Sequence, residues 1–300
     1  MRKFVVNILV FFGIIFLIDY CMGVTGDYLH SHAKSGFTRR INTIARDGVY
    51  DIMIMGSSRA HHHYDAPFLT DVLGKRVYNA GYDGNGVILA DGLLELMIER
   101  YSPQLILYDV EPAFDINVYA PDNHNTRYIE RIKPFWRHKA VGEIIQDVSK
   151  EEWYKVHSGL LRYNSTMVTL LGDYLKINDD KMMGFDPLQG EYKNDVKWIR
   201  EKEEQDPLKL KYLELFVRKA KEQAVPLVII ASPRLGANTS EELSPIKDIC
   251  SRYDVPFWDY YTDEKYQRND FFKEPTHLNK VGAREYSSEI AKKIQLIYNK

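Results

Sequence analysis

Five short apolar runs separated by stretches of helical periodicity limit the folds open to this chain. They are "YDIMIMG" (50–56), "RVYNAG" (76–81), "QLILYDV" (104–110), "PLVIIAS" (226–232) and "VPFWDY" (255–260). Near-continuous apolar strands of this length suit a sheet covered on both faces, since a strand with one wet face alternates polar and apolar residues. Helical stretches lie between them: Gly86 to Arg100, with Val87, Leu89, Leu93, Leu94 and Met97 as its apolar positions, then Pro207 to Gln223, Ser244 to Arg252 and Val281 to Tyr298. Strands alternating with helices predict parallel βαβ units and a three-layer α/β/α sandwich with a mostly parallel sheet. The rhythm stops after Phe114. Residues 115–206, rich in Tyr, Trp, His, Lys and Asp, read as an inserted helical and loop region between the third and fourth strands. A chain of 300 residues accommodates one such α/β domain, about 49–300, and buries a substantial core.

The N-terminus is different in kind. Arg2 and Lys3 precede an apolar stretch from Phe4 to Val24 with one internal Asn and a late Asp19. Crossing the hydrocarbon core takes about 20 mostly apolar residues, so residues 1–24 read as a signal anchor and 25–48 as a polar, basic spacer beside the membrane. Cleavage as a signal peptide is the competing reading; its best small-residue pair is Cys21 and Gly23, without an A-x-A pattern. A lipoprotein signal is disfavoured by Tyr20, which precedes Cys21 where a small residue is needed. The two basic residues at the start leave the rest of the chain outside the cytoplasm by the positive-inside tendency.

Charge and cysteine content exclude several classes. Forty Lys and Arg against 42 Asp and Glu give a formal net charge of −2 with no block of one sign, so no nucleic-acid partner is expected. Cys21 and Cys250 are the only cysteines, which leaves neither a disulfide framework nor a cysteine-rich metal site. No P-loop or dinucleotide fingerprint occurs, and no cofactor is expected.

Ligands of open parallel sheets bind beyond the carboxyl ends of the strands, and three segments fall there: "GSSRA" after the first strand, "NAGYDGNG" after the second, and "KEPTHLN" before the last helix. Glu274 and His277, three residues apart in a loop that opens that helix, form a natural base and orienter. One ring nitrogen faces a hydroxyl while the carboxylate holds the other and fixes the tautomer. Ser58, two residues after Gly56, supplies the hydroxyl on a sharp turn. Taken singly, a Gly-Ser-Ser turn and an E-x-x-H pair are more often structural.

"GSSRA" at 56–60, "NAGYDG" at 79–84 and "EPTHLNKVGA" at 274–283 resemble blocks I, II and V of the SGNH (GDSL-like) hydrolase superfamily, in the order that superfamily shows. The resemblance extends especially to its membrane-anchored branch acting on envelope polymers, including alginate O-acetylation and teichoic-acid D-alanylation proteins, and covers about 49–114 and 207–300. It implies Ser58 as nucleophile with Ser57 in the place of the usual aspartate, His277 as general base, and Glu274 replacing an aspartate as orienter. It further implies oxyanion donors at the backbone N–H groups of Ser58 and Gly84. Block III, a Gly-x-Asn-Asp after the third strand, is absent; "YDVEPAFDIN" (108–117) stands there, with Asn117 as the candidate third donor.

Other conspicuous residues have bland alternatives. His61, His62 and His63 invite a metal, but consecutive residues point in different directions and three neighbours are not expected to converge on one ion, so no metal site is expected. Arg59 reads either as an anchor for an anionic substrate group or as the partner of Asp83 or Glu111. Asp109 and Glu111 lie near the end of the third strand and read as site residues or as partners of arginines. Ser232 and Arg234, ending the fourth strand, are candidate pocket residues, and Asp65 to Pro67 starts a helix. Trp136, Trp153 and Trp198 suit packing of the insertion better than sugar stacking. The expected activity is a membrane-anchored serine acyl esterase or O-acyltransferase on an acylated carbohydrate or envelope polymer, with a membrane protein as a conceivable acyl donor. The alternative is a catalytically impaired relative serving as a binding or assembly component, which the missing block III favours.

Overall fold

A computed structural model describes residues 1–118, 125–176, 180–194 and 204–298. The chain forms two compact units: Met1–Asp47 with Asn125–Asp179, and Gly48–His124 with Asp180–Lys300. In chain order the helices are α1 (Arg2–Ser31), α2 (Gly36–Asn42), α3 (Ser58–His63), α4 (Ala66–Leu73), α5 (Val87–Ile98), α6 (Pro112–Asp115), α7 (Lys139–Val148), α8 (Lys150–Lys155), α9 (Gly159–Tyr163), α10 (Met167–Leu175), α11 (Pro207–Glu222), α12 (Ser244–Arg252) and α13 (Lys280–Tyr298).

The second unit is the α/β fold expected from the five apolar runs. Strands β1 (Ile52–Gly56), β2 (Val77–Asn79), β3 (Leu105–Asp109), β4 (Leu227–Ala231) and β5 (Phe257–Asp259) form a sheet of order β2-β1-β3-β4-β5 in which every pairing is parallel. Alternate side chains enter opposite layers. Ile52, Ile54, Leu105, Leu107, Val228 and Ile230 pack with Tyr64, Leu69, Tyr286, Ile290 and Ile294 from the α3–α4 segment and α13. On the other face Tyr108 meets Phe216 of α11 with ring centroids 4.9 Å apart, and α11 packs on α5. Burying one such aliphatic side chain contributes about 1.5–3 kcal/mol, and a strand dressed on both faces collects this at every position. Residues 180–194, inside the stretch read as an insertion, belong to this unit and place Phe185 in its core.

The strand order has one reversal. From β1 the chain steps outward to β2, then crosses back over β1 to β3 and continues to β4 and β5. The carboxyl ends of β1 and β3 therefore flank the switch point where open α/β sheets bind ligands. Gly56, the last residue of β1, lies at φ +140° and a Cβ there would stand 2.4 Å from the Asp109 carbonyl oxygen of β3, so only glycine lets the chain turn at that point.

In the first unit, α1 is 30 residues long with a mean hydropathy of 2.4 over its most apolar window, none of which is buried, so it is long and apolar enough to cross a membrane. Its C-terminal part is built into the unit. Gly23 and Gly26 meet α9 so closely that a Cβ on Gly159 would stand 2.3 Å from the Asp19 carbonyl and one on Gly26 2.2 Å from the Tyr163 ring. Asp19 accepts hydrogen bonds from the Gly159 and Leu160 amides at 3.2 and 3.0 Å, capping α9, and Asp27 pairs with Arg162 at 3.1 Å. The segment read as a spacer, 25–48, is largely helical: it holds the end of α1, α2 and a π-helical turn over Thr43–Asp47, and Thr38 of α2 donates to Asp173 at 2.6 Å. Trp136 and Trp153 pack edge to face at 6.4 Å; Trp198 lies outside the described residues. Gly159→Leu is expected to force α1 off α9 and to cost about 1–3 kcal/mol of stability. Thermal unfolding of the detergent-solubilised chain measures it, and an unchanged midpoint would show that the helices need not touch.

Candidate active site

Ser58 is the first residue of α3, directly after the Gly56 turn. Ser57 caps the helix by accepting from the Arg59 amide at 3.4 Å, so the Ser58 N–H, in the first turn, has no intrahelical acceptor. The loop after β2 is drawn against this helix. Asn79 donates to the Ala60 and Tyr64 carbonyls at 2.7 and 3.1 Å and accepts from the Gly81 amide at 3.0 Å; a Cβ on Gly81 would meet the His61 nitrogen at 2.3 Å. That is the physical content of the "NAG" sequence.

The last segment departs from its expectation as a plain loop. Phe272–Glu274 (β6) and His277–Leu278 (β7) form a two-stranded antiparallel hairpin in which Glu274 and His277 stand opposite each other. Cross-strand neighbours have Cβ atoms about 4.5–5.5 Å apart, and the turn of Pro275 and Thr276 therefore delivers the carboxylate to the ring. Asn279 then caps α13, accepting from the Val281 and Gly282 amides at 2.9 and 3.0 Å.

The three predicted residues meet in one chain of hydrogen bonds. Glu274 Oε1 accepts from His277 Nδ1, and His277 Nε2 accepts from the Ser58 hydroxyl at 2.7 Å. A carboxylate only accepts, so the proton sits on Nδ1 and the Nε2 lone pair faces the serine. Burial lowers the His277 pKa below that of a free histidine despite the opposing pull of Glu274, which keeps the ring neutral and able to take a proton. Ser58 is 9% exposed, whereas the Glu274 side chain is 55% exposed, so the orienter is solvent-screened. Glu274→Gln is accordingly expected to lower kcat by well under the roughly 10⁴-fold that amidation of a buried triad carboxylate costs. Steady-state turnover of an aryl acetate reads it, and a loss equal to that of Ser58→Ala would contradict the screening.

The remaining predicted residues are placed as follows. Gly84 lies at φ +65° in the turn after β2, beside Asp83. Asn117 forms a backbone bridge to Gln205 and its carbonyl accepts from Lys209 at a buried site, which anchors this segment towards α11. Arg59 does not present itself to an anionic ligand. Its side chain is 1% exposed, pairs with Glu111 Oε2 at 2.8 Å, donates to the Ser232 hydroxyl at 3.1 Å and reaches the Ser232 carbonyl. Asp83, its other candidate partner, is taken by the histidines of α3. Ser232 is fully buried in this network rather than lining a pocket, and Arg234 reaches Glu111 Oε1 at 3.5 Å. Burial alone would raise the Glu111 carboxyl, but Arg59 and Arg234 hold it below the usual range.

The three histidines divide. His63 faces inward: its Nε2 accepts from the Leu278 amide at 3.0 Å and its Nδ1 donates to Ser232 at 2.8 Å, tying α3 to the strand that carries His277. Burial keeps it neutral. His61 and His62, expected to diverge, instead meet one carboxylate oxygen of Asp83, at 2.7 Å through Nδ1 and 3.3 Å through Nε2. Side chains leaving a helix at different angles still reach one point when one uses its near nitrogen and the other its far one. The role of His63 and the partnership with Asp83 were missed in the sequence, which carries no local signal for either.

The site is a serine-histidine-carboxylate chain at the switch point of a parallel α/β sheet. No family model matches the chain, and no curated protein matches it. Among solved structures it is similar to one from Streptococcus pneumonia described as a candidate platelet activating factor, with 12% identity over 92% of this chain and 95% of that one and a TM-score of 0.43. It is also similar to the acetyl xylan esterase AlAXEase, with 10% identity over 81% of this chain and 99% of that one and a TM-score of 0.39.

Proposed function

We propose that this chain is a membrane-anchored serine acyl esterase or O-acyltransferase whose site lies outside the cytoplasm and acts on an acylated glycan or envelope polymer. The observation that carries the reading is the Ser58 hydroxyl held 2.7 Å from a neutral, carboxylate-oriented His277. In the first step His277 Nε2 takes the serine proton while Ser58 Oγ bonds to the ester carbonyl carbon; the carbonyl π electrons move to its oxygen, which the N–H groups of Ser58 and Gly84 would receive. Collapse of that intermediate breaks the ester C–O bond, and the imidazolium proton goes to the departing alcohol. Attack by water on the acyl-enzyme, with its proton returning through His277, regenerates Ser58 and releases an acid. Attack by a sugar hydroxyl gives a transferase.

Supporting the envelope assignment are the helix α1, the two basic residues that open it, and the resemblance of the three motifs. The full chain in detergent, treated with a fluorophosphonate, is expected to acquire one phosphonyl group, located at Ser58 by peptide mass spectrometry, and to hydrolyse an aryl acetate. Labelling with little hydrolysis until a glycan acceptor is added indicates the transferase. Neither labelling nor turnover, with or without acceptor, would leave the binding or assembly role, the reading favoured by the lack of a Gly-x-Asn-Asp segment after β3.

A further inference from the structure

We propose that His61, His62 and Asp83 form a binding site for a divalent transition-metal ion of the Zn²⁺ type, with Asp186 or water as the fourth ligand. The proposal stands independently of the role of Ser58. His62 Nδ1 lies 2.6 Å from the backbone carbonyl oxygen of Asp186. A carbonyl only accepts, so in a neutral ring the proton is on Nδ1 and the lone pair on Nε2. That nitrogen lies 3.3 Å from Asp83 Oδ1, and a carboxylate oxygen also only accepts. Two acceptors in contact need something positive between them, either a proton on His62 or a cation.

The surroundings favour the cation. His61 directs its Nδ1 to the same Asp83 oxygen at 2.7 Å, and its ring lies 4.6 Å from that of His62 at 30°. A nitrogen of each ring and a carboxylate oxygen of Asp186 come within 4.8 Å of one another. Zinc holds nitrogen and carboxylate ligands at about 2.0–2.2 Å, which places tetrahedral ligand atoms about 3.3–3.6 Å apart. The His62 to Asp83 spacing already has that value, and the His61 contact reaches it if Asp83, whose side chain is 48% exposed, turns outward slightly. The histidines are 4% and 5% exposed and thus preorganised, while the two acids, on the solvent side, leave an entry path. The Asp186 carbonyl on His62 Nδ1 is the outer partner that metal-bound histidines commonly have. The His62 ring stands 5.5 Å from that of His277, so the ion would sit at the rim of the serine site.

The test uses the full chain, purified in detergent without a polyhistidine tag and stripped with a chelator. Titration with Co²⁺ is expected to give the intense visible bands of a four-coordinate N/O site, saturating at one equivalent, and Zn²⁺ is expected to displace it and to raise the unfolding midpoint with concentration. Asp83→Asn, which keeps both histidines and their backbone partner, is expected to weaken Zn²⁺ by at least about tenfold, and His61→Gln combined with His62→Gln to abolish saturable binding. Ser58→Ala is expected to bind Co²⁺ like the parent chain, separating this site from the esterase reading. No saturable Co²⁺ spectrum in the parent chain, or equal Zn²⁺ affinity in Asp83→Asn, would overturn the proposal and leave a protonated His62 beside Asp83.

Discussion

Ser58→Ala and His277→Ala are each expected to lower aryl acetate turnover by about 10⁴-fold or more, and the double variant hardly further. Members of such a unit act together, so the first loss removes nearly all of what the set contributes. In Ser58→Ala the atom that bonds to the carbonyl is gone; in His277→Ala the hydroxyl keeps its place but has no base 2.7 Å away. Fluorophosphonate labelling is expected to vanish in both. The single-turnover rates of the two single variants and the double variant, compared in one preparation, check the non-additivity. Equal background rates in the parent chain and all variants would sink the serine mechanism and not merely shift its magnitude.

Arg59→Ala is expected to cost about 3–5 kcal/mol of stability, because it leaves the Glu111 carboxylate buried without its cation. Arg59 and Glu111 have side-chain exposures of 1% and 7%, so water has little access to the uncompensated charge. Arg234, at 3.5 Å and partly exposed, stays on the other carboxylate oxygen and offsets part of it, which places the expected cost at the lower end of that range. The same guanidinium holds the Ser232 hydroxyl and carbonyl after β4, so the ends of β1, β3 and β4 loosen together. Arg59→Met combined with Glu111→Gln is expected to recover much of the loss, since no unpaired charge remains. Denaturant midpoints of the single and double variants give the coupling. If Arg59→Ala unfolds at the parent midpoint, the pair is not what organises the site.

Much of the second unit was legible without coordinates. The runs at 50–56, 76–81, 104–110, 226–232 and 255–260 each contain one strand of the sheet. The helical stretches recur as α5, α11, α12 and α13. Glu274 and His277 were legible as a pair because they are three residues apart, although the short hairpin that sets them face to face was not. Strands of three and two residues leave no periodicity to read. The glycines of "GSSRA" and "NAG" were visible as turns, whereas the reasons for them, the Asp109 carbonyl against Gly56 and the His61 nitrogen against Gly81, belong to segments that only folding brings near.

The charged residues were the least legible. Arg59 lies next to Ser58 in sequence and looked available to a ligand, yet its side chain turns into the protein, because helix α3 is buried and Glu111, 52 positions away, receives it there. Asp186 sat in a region without rhythm and reaches His62 across 124 positions. By itself the sequence determined what is local: the five strands of the sheet and the helices α5, α11, α12 and α13, that α1 is long and apolar enough to cross a membrane, and that a serine, a histidine and a carboxylate were there to be assembled. Only the tertiary structure decided the pairing of groups far apart in the chain. Burying a charge or a hydrogen-bonding atom without a partner costs several kcal/mol, so the packed arrangement as a whole, and no short stretch of residues, selects which arginine meets which acid and which histidines share one.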